Sequence, residues 1–244
     1  MRRILVLALL ALTGLQDNEL SAKTKGPDKS EVKTAEKVIA SYGTGNTQVT
    51  IKTSAGTIRV VLYDETPLHR DNFIQHAMDK TYNGVIFHRV IKDFMIQAGD
   101  PTSKNTMMTA TYGATNAGAP VPAEIRSDLF HHRGALAAAR AADDVNPEHE
   151  SSGSQFYIVT GEVQTDSMLN ARAERGGSIL PMDRVQVYKT IGGTPHLDGG
   201  YTIFGRVTKG MKVVERINEV PTDYKDRPRK DIFIKSMTVR RRGQ

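Results

Sequence analysis

Phe87-His88-Arg89-Val90-Ile91-Lys92-Asp93-Phe94-Met95-Ile96-Gln97-Ala98-Gly99-Asp100 predicts two short strands in succession, the first running from Val85 to Val90 and the second from Phe94 to Ala98, closed by Gly99-Asp100-Pro101. Side chains alternate along a regular strand, so Phe87, Arg89 and Ile91 are expected on one face. An arginine that shares a face with aromatic and aliphatic neighbours is either paired with a carboxylate or held for a ligand. A second unusual segment, Gly153-Ser154-Gln155-Phe156-Tyr157-Ile158-Val159, carries another strand from Phe156 to Val159.

Towards the N-terminus, Val49 and Ile51, then Ile58, Val60 and Leu62, alternate with polar residues on either side of Ser54-Ala55-Gly56. That is the pattern of a hairpin with one buried face. Thr66-Pro67 reads as an N-cap with proline in the first helical position, and Phe73, Ile74, Ala77 and Met78 follow at helical spacing. Towards the C-terminus, Gly134 to Ala139, Tyr201 to Val207 and Ile232 to Val239 read as strands, with a second short helix over Met211, Val214 and Ile217. Many short strands, two helices and no alternating βαβ pattern predict a mainly β domain over 47–244, with an antiparallel sheet closed or sandwiched and helices over its open ends. The polar, aperiodic stretch at about 161–193 reads as an inserted loop.

Residues 23–46 read as a linker or N-terminal arm, with a short helix over Ser30 to Ala40. Before it, Met1, Arg2 and Arg3 precede the apolar run Ile4 to Leu12. The run is shorter than the ~20 residues that span a bilayer, and a positive start before a short apolar stretch fits a signal peptide over 1–22. Export to the periplasm or beyond is the reading, with a cytoplasmic protein as the alternative. No stable membrane anchor is expected.

The 244 residues contain no cysteine, which excludes a disulfide scaffold, a thiolate metal site and a cysteine nucleophile. Apolar residues are 39% and charged residues 25%, the balance of an ordinary soluble domain. The net charge is +6, and Lys225 to Gln244 accounts for all of it, with eight Lys or Arg against Asp226 and Asp231. A nucleic-acid surface would interleave bases with aromatics across the domain. A solvated terminal strand is the expectation instead, with no nucleic-acid partner. His131-His132 reads as loop or cap histidines, and Asp143, Asp144, Glu148 and Glu150 as an acidic loop without metal-ligand spacing.

The two unusual segments, with Pro195-His196-Leu197-Asp198-Gly199-Gly200-Tyr201-Thr202-Ile203-Phe204-Gly205 and, more weakly, Gly134 to Ala141, resemble the signature of the cyclophilin family of peptidyl-prolyl cis-trans isomerases. The resemblance runs in order from Gln48 to Arg240, with two insertions. It implies a closed eight-stranded antiparallel β-barrel with an α-helix over each end and a substrate groove on the outer face. By position it makes Arg89 and Gln97 catalytic. Phe94, Met95, Tyr157 and Leu197 fall on the proline pocket, and Gln155 joins Gln97 in holding the substrate backbone. His88, Ala139, His196 and Tyr201 line the same groove. It implies no cofactor and no metal, a monomer, and proline-containing polypeptides as substrates, with a catalytically weak proline-binding scaffold as the alternative. His196 stands where many members have Trp, Tyr201 where many have His, Tyr157 in place of a Phe, and Arg140 where Asn is common.

The chemistry suits such a residue set. Rotation about an X–Pro bond faces a barrier of ~18–20 kcal/mol because the C–N bond is partly double. No bond breaks, so a fixed donor and an apolar slot are the parts required.

Overall fold

A hairpin of β1 (Thr47–Thr53) and β2 (Gly56–Leu62) pairs Val49 with Val60 and Ile51 with Ile58, and all four side chains are buried. From it an eight-stranded antiparallel sheet is assembled in a computed structural model that describes residues 26–104, 106–107, 110–177 and 179–241. The apolar run read as an export signal lies outside the described residues. The remaining strands are β3 (Phe87–Ile91), β4 (Met95–Ala98), β5 (Ala135–Ala138), β6 (Phe156–Val159), β7 (Ile203–Lys209) and β8 (Ile234–Arg241). Their order across the sheet is β3-β4-β6-β5-β7-β2-β1-β8.

This is a half-barrel sheet, which corrects the expected closed barrel. The edge strands β3 and β8 share no ladder, and the two margins meet at the isolated bridge Ile86–Phe233. The reason lies in the chain just before β8. Phe87 N–H donates to Ile232 O, but Val90 N–H donates to Asp226 O, in an irregular loop that holds Pro221 and Pro228. A proline offers no N–H to a ladder, so the loop covers the outer edge of β3 where a strand would be needed for closure.

Both faces of the sheet carry apolar side chains, as in strands covered on two sides. On β6, Phe156 and Ile158 join the interior cluster, while Tyr157 and Val159 join a second cluster on the opposite face. Leu136 and Ala138 of β5 point inward in the same way, and Ala135 and Ala137 outward. The interior is completed by α2 (Pro67–Met78) through Phe73, Ile74 and Ala77, and by α5 (Met211–Asn218) through Val213, Val214 and Ile217. The Phe73 ring lies 5.2 Å from Tyr82 and from Phe156, and 5.4 Å from Phe204.

Three helices are expected, one in the arm and two in the domain; the described residues form five. The helix read over Ser30 to Ala40 spans α1 (Lys29–Ser41), capped by Asp28, whose carboxylate accepts from Ser30 and Glu31 N–H groups while Glu31 reaches back. The stretch at 161–193, expected as a loop, contains α3 (Asp166–Glu174) and α4 (Met182–Thr190). Thr165 caps α3 by accepting from Met168 N–H. Neither helix advertises a buried stripe. No residue of α3 is buried, and α4 buries Arg184, Val187, Tyr188 and Thr190. Ala35 and Ile39 of α1 pack with Val187, Tyr188 and Phe130 in a third cluster, so the N-terminal arm rests on the insertion. No helix among the described residues is long and apolar enough to cross a membrane.

Candidate active site

On the outer cluster's side of the sheet, Arg89, Phe94, Met95, Gln97, Ala139, Arg140, Tyr157, Leu197 and Tyr201 surround a slot of about 120 Å³. The paired strands β4 and β6 deliver three of these residues, Met95, Gln97 and Tyr157. Met95 and Gln97 sit two residues apart on β4, Tyr157 lies opposite Gln97 on β6, and Ala137 lies opposite Tyr157 on β5. Period-two alternation therefore sends these residues to one face. Gly99 lets β6 approach: its φ is +110°, and a Cβ there would lie 2.2 Å from Ser154 O.

Arg89 reaches this face through a break in strand regularity. Phe87 pairs with Ala98 but Arg89 pairs with Gln97, so His88 is the extra residue of a bulge. The expected common face for Phe87, Arg89 and Ile91 is corrected accordingly. Phe87 and Val90 lie in the interior cluster, whereas Arg89 is exposed at the slot rim. Its Nε stands 3.7 Å from Asp226 Oδ2, and both side chains are nearly half exposed. Such a long, wet ion pair contributes little and leaves the guanidinium available to a ligand.

Three of the expected groove residues lie off the slot lining. His88 is buried by the bulge, beside Gly113, and burial lowers its pKa to about 4. Gln155 is buried too. Its amide donates to Gly113 O, Thr115 O and Asn116 Oδ1 at 2.9–3.1 Å, and its carbonyl accepts from Gln97 Nε2 at 3.0 Å. Gln155 thus ties the 113–116 loop to Gln97 and fixes the amide of Gln97. His196 stacks on Phe94 with centroids 5.6 Å apart and faces a neighbouring cavity. Burial pushes its pKa down.

Arg140 stands in the slot wall with its side chain almost wholly covered. Its guanidinium lies 4.5 Å over the Tyr201 ring, donates to Gly200 O at 2.7 Å and pairs with Asp143. It is a structural cation that holds Tyr201 in place.

Behind the slot lies a polar network that sequence reasoning passed over. His131, expected in a loop or cap, is fully buried. Its backbone N–H and Nδ1 lie 2.8 and 3.0 Å from Asp198 Oδ1, and its Nε2 lies 3.0 Å from the Tyr157 hydroxyl. His131 thereby bridges the Asp198 carboxylate to the Tyr157 hydroxyl. Asp198 Oδ2 accepts from Tyr188 of α4 at 2.7 Å. Tyrosine in place of the usual phenylalanine at 157 was the available signal, because a buried phenol needs a partner. Asp198→Asn keeps the shape but removes the charge, so that the amide oxygen still accepts from His131 while the NH2 takes the place of the oxygen that accepts from Tyr188. It is expected to lower stability by about 2 kcal/mol, read as a shift in the urea midpoint at constant slope.

Among the described residues no group of three or more His, Asp or Glu could hold a metal ion.

The cyclophilin-type peptidyl-prolyl cis-trans isomerase family model matches residues 48–239. The chain belongs to that family. A Staphylococcus saprophyticus protein provisionally named as such an isomerase is 38% identical over 179 residues, covering 73% of this chain and 84% of its own. A Streptococcus pyogenes protein provisionally named a bifunctional phosphatase/peptidyl-prolyl cis-trans isomerase is 37% identical over 197 residues, and the match spans 79% of this chain but 38% of that one. A crystal structure of a Cryptosporidium parvum cyclophilin-type isomerase superposes with a TM-score of 0.59 at 26% identity, covering 79% of this chain and 96% of that one. The same Cryptosporidium protein has also been crystallised in the presence of the dipeptide Ala-Pro, and that structure superposes with a TM-score of 0.58.

Proposed function

We propose that the slot ringed by Arg89, Gln97 and the four side chains Phe94, Met95, Tyr157 and Leu197 is where this cyclophilin turns X–Pro bonds in unfolded or partly folded polypeptides. The observation that carries the reading is an exposed guanidinium, Arg89, at the rim of a slot of about 120 Å³ that Phe94, Met95, Tyr157 and Leu197 line beside it.

In the planar ground state the prolyl nitrogen lends its lone pair to the carbonyl. In the twisted state that resonance is lost, and the nitrogen becomes pyramidal and basic. An Arg89 N–H aimed at that nitrogen interacts more strongly with the twisted amide than with the planar one, which is the condition for catalysis. The guanidinium keeps its charge throughout physiological pH. The apolar slot holds the ring and disfavours the charge-separated planar resonance form. Gln97, whose amide is fixed by Gln155, offers its carbonyl oxygen to a substrate N–H and anchors one side of the bond while the other turns. Uncatalysed isomerisation takes tens to hundreds of seconds, so a turnover of ~10 per second requires about 4 kcal/mol of stabilisation. One charge-assisted hydrogen bond with desolvation is of that size.

The test is a protease-coupled assay on a short X–Pro peptide. Acceleration above the uncatalysed rate supports the reading. Peptide binding with no acceleration replaces it with a proline-binding scaffold. A role in folding predicts faster refolding of a protein whose slow step is prolyl isomerisation. Export, proposed from the apolar run Ile4 to Leu12, predicts a mature N-terminus beyond that run when the fractionated protein is sequenced.

A further inference from the structure

Beside the proline slot lies a cavity of about 780 Å³, walled on one side by Met168, Arg172 and Arg175 of the insertion and on the other by Pro195, His196 and Asp198. The 3-10 turn Pro195–Leu197 separates the two spaces. Leu197 lines the slot, whereas Pro195 and His196 line the larger cavity. His196 also stacks on Phe94, which lines the slot. The two spaces are therefore neighbours, parted by one turn and by the Phe94–His196 stack.

The lining of the larger cavity carries two arginines, Arg172 and Arg175, against one carboxylate. Asp198 is the sole carboxylate among the described lining residues, and both its oxygens are turned inward to His131 and Tyr188. Arg172 fixes α3 to the turn by donating from Nε to Pro195 O at 2.8 Å, which brings its guanidinium to the wall. Arg175, at the C-cap of α3, is exposed. Asp166, the acidic residue in the first turn of α3, is engaged by Lys189 of α4.

We infer that the insertion builds a subsite beside the slot for an acidic side chain of the substrate, so that this isomerase favours X–Pro bonds flanked by Asp or Glu. The inference rests on the isomerase reading of the slot. Arg175, exposed at a partly open surface, contributes what an exposed ion pair does, and Arg172, held by the protein, adds to the positive field; together they favour a glutamate peptide over its glutamine counterpart by about fivefold in kcat/KM.

The full chain is assayed on paired peptides in which Glu or Gln is moved stepwise along each side of one X–Pro core. The wild type is expected to show the fivefold preference on one flank only, shrinking as salt rises from ~0.05 to ~0.5 M. Arg175→Glu is expected to abolish or invert it, and Arg172→Lys to retain part of it. A wild type that turns over every peptide with a Glu/Gln ratio of one overturns the inference and leaves the isomerase reading intact. A preference that survives both high salt and Arg175→Glu also overturns it. A wild type inert on all peptides overturns the isomerase reading itself.

Discussion

Replacing Arg89 with alanine is expected to lower kcat/KM on a neutral X–Pro peptide by two to three orders of magnitude, while peptide affinity falls by much less. The estimate follows from what the side chain does. A charged donor to a group that becomes basic only in the twisted state contributes about 3–4 kcal/mol there, the scale found for one preorganised donor at a developing charge, and each 1.36 kcal/mol is tenfold in rate. In the ground state the prolyl nitrogen is not an acceptor, so the same contact adds little to binding. The loss should therefore fall on kcat. Arg89→Lys tests geometry separately from charge. A lysine keeps the charge but not the planar fork, and partial recovery is expected. Stability should not move, because Arg89 is exposed and its pair with Asp226 is long at 3.7 Å. Single-turnover kinetics in Arg89→Ala within a factor of three of wild type would remove the guanidinium from the chemistry and return it to that surface ion pair.

How much of this site the sequence displayed depends on how local each signal is. Phe94, Met95, Gln97 and Tyr157 are specified by adjacent residues in two short strands, and pairing of β4 with β6 brings them together in register. They were expected from the resemblance of those two segments to the cyclophilin signature, because alternation alone would part the adjacent Phe94 and Met95. Alternation did misplace Phe87, which lies in the interior cluster and not on the face of Arg89. A bulge inserts one residue and turns the side chains that follow it, and nothing in Phe87-His88-Arg89 announces one. Gln155 and His196 lie behind and beside the slot lining, positions set by the 113–116 loop and by stacking on Phe94. Barrel closure was illegible for a related reason. It depends on which segment meets the free edge of β3, and the proline-bearing loop before β8 takes that place. The helices α3 and α4 escaped detection because periodicity is the imprint of a buried face, and α3 buries no residue at all. The His131–Asp198–Tyr157 network joins residues 26 and 67 apart in the chain, beyond the reach of any pattern of spacing.

Acidification should unfold this protein before its carboxylates titrate. Burial is the main cause that holds the imidazoles of His88 and His132 at a pKa of about 4, against an ordinary value of 6.5. For His88 the Arg89 charge pushes the same way and Asp100 opposes; for His132 a hydrogen bond to Arg133 O opposes. Both rings are therefore neutral in the folded chain near pH 5, whereas the unfolded chain protonates them. Stability rises with pH wherever the unfolded state binds more protons, so it is lost as pH falls from 6.5 to about 4 and the loss levels off once both states are protonated. Each ring contributes on the order of 3 kcal/mol across that window, and two together match a large part of a domain's total stability. Burial also pulls His69 and His196 down, His69 against the opposing pull of Glu124, and they add to the same slope. Carboxylates that are lowered by hydrogen bonds, such as Asp100, act in a separate range below the ordinary carboxylate value. Urea midpoints measured from pH 7.5 to 4 should fall steeply below pH 6.5, and His88→Gln should flatten that fall by roughly half of the two-ring effect. A midpoint constant from pH 6.5 to 4.5, or a slope unchanged by His88→Gln, would show that these rings are protonated inside the fold and that the bulge at His88 does not bury its side chain.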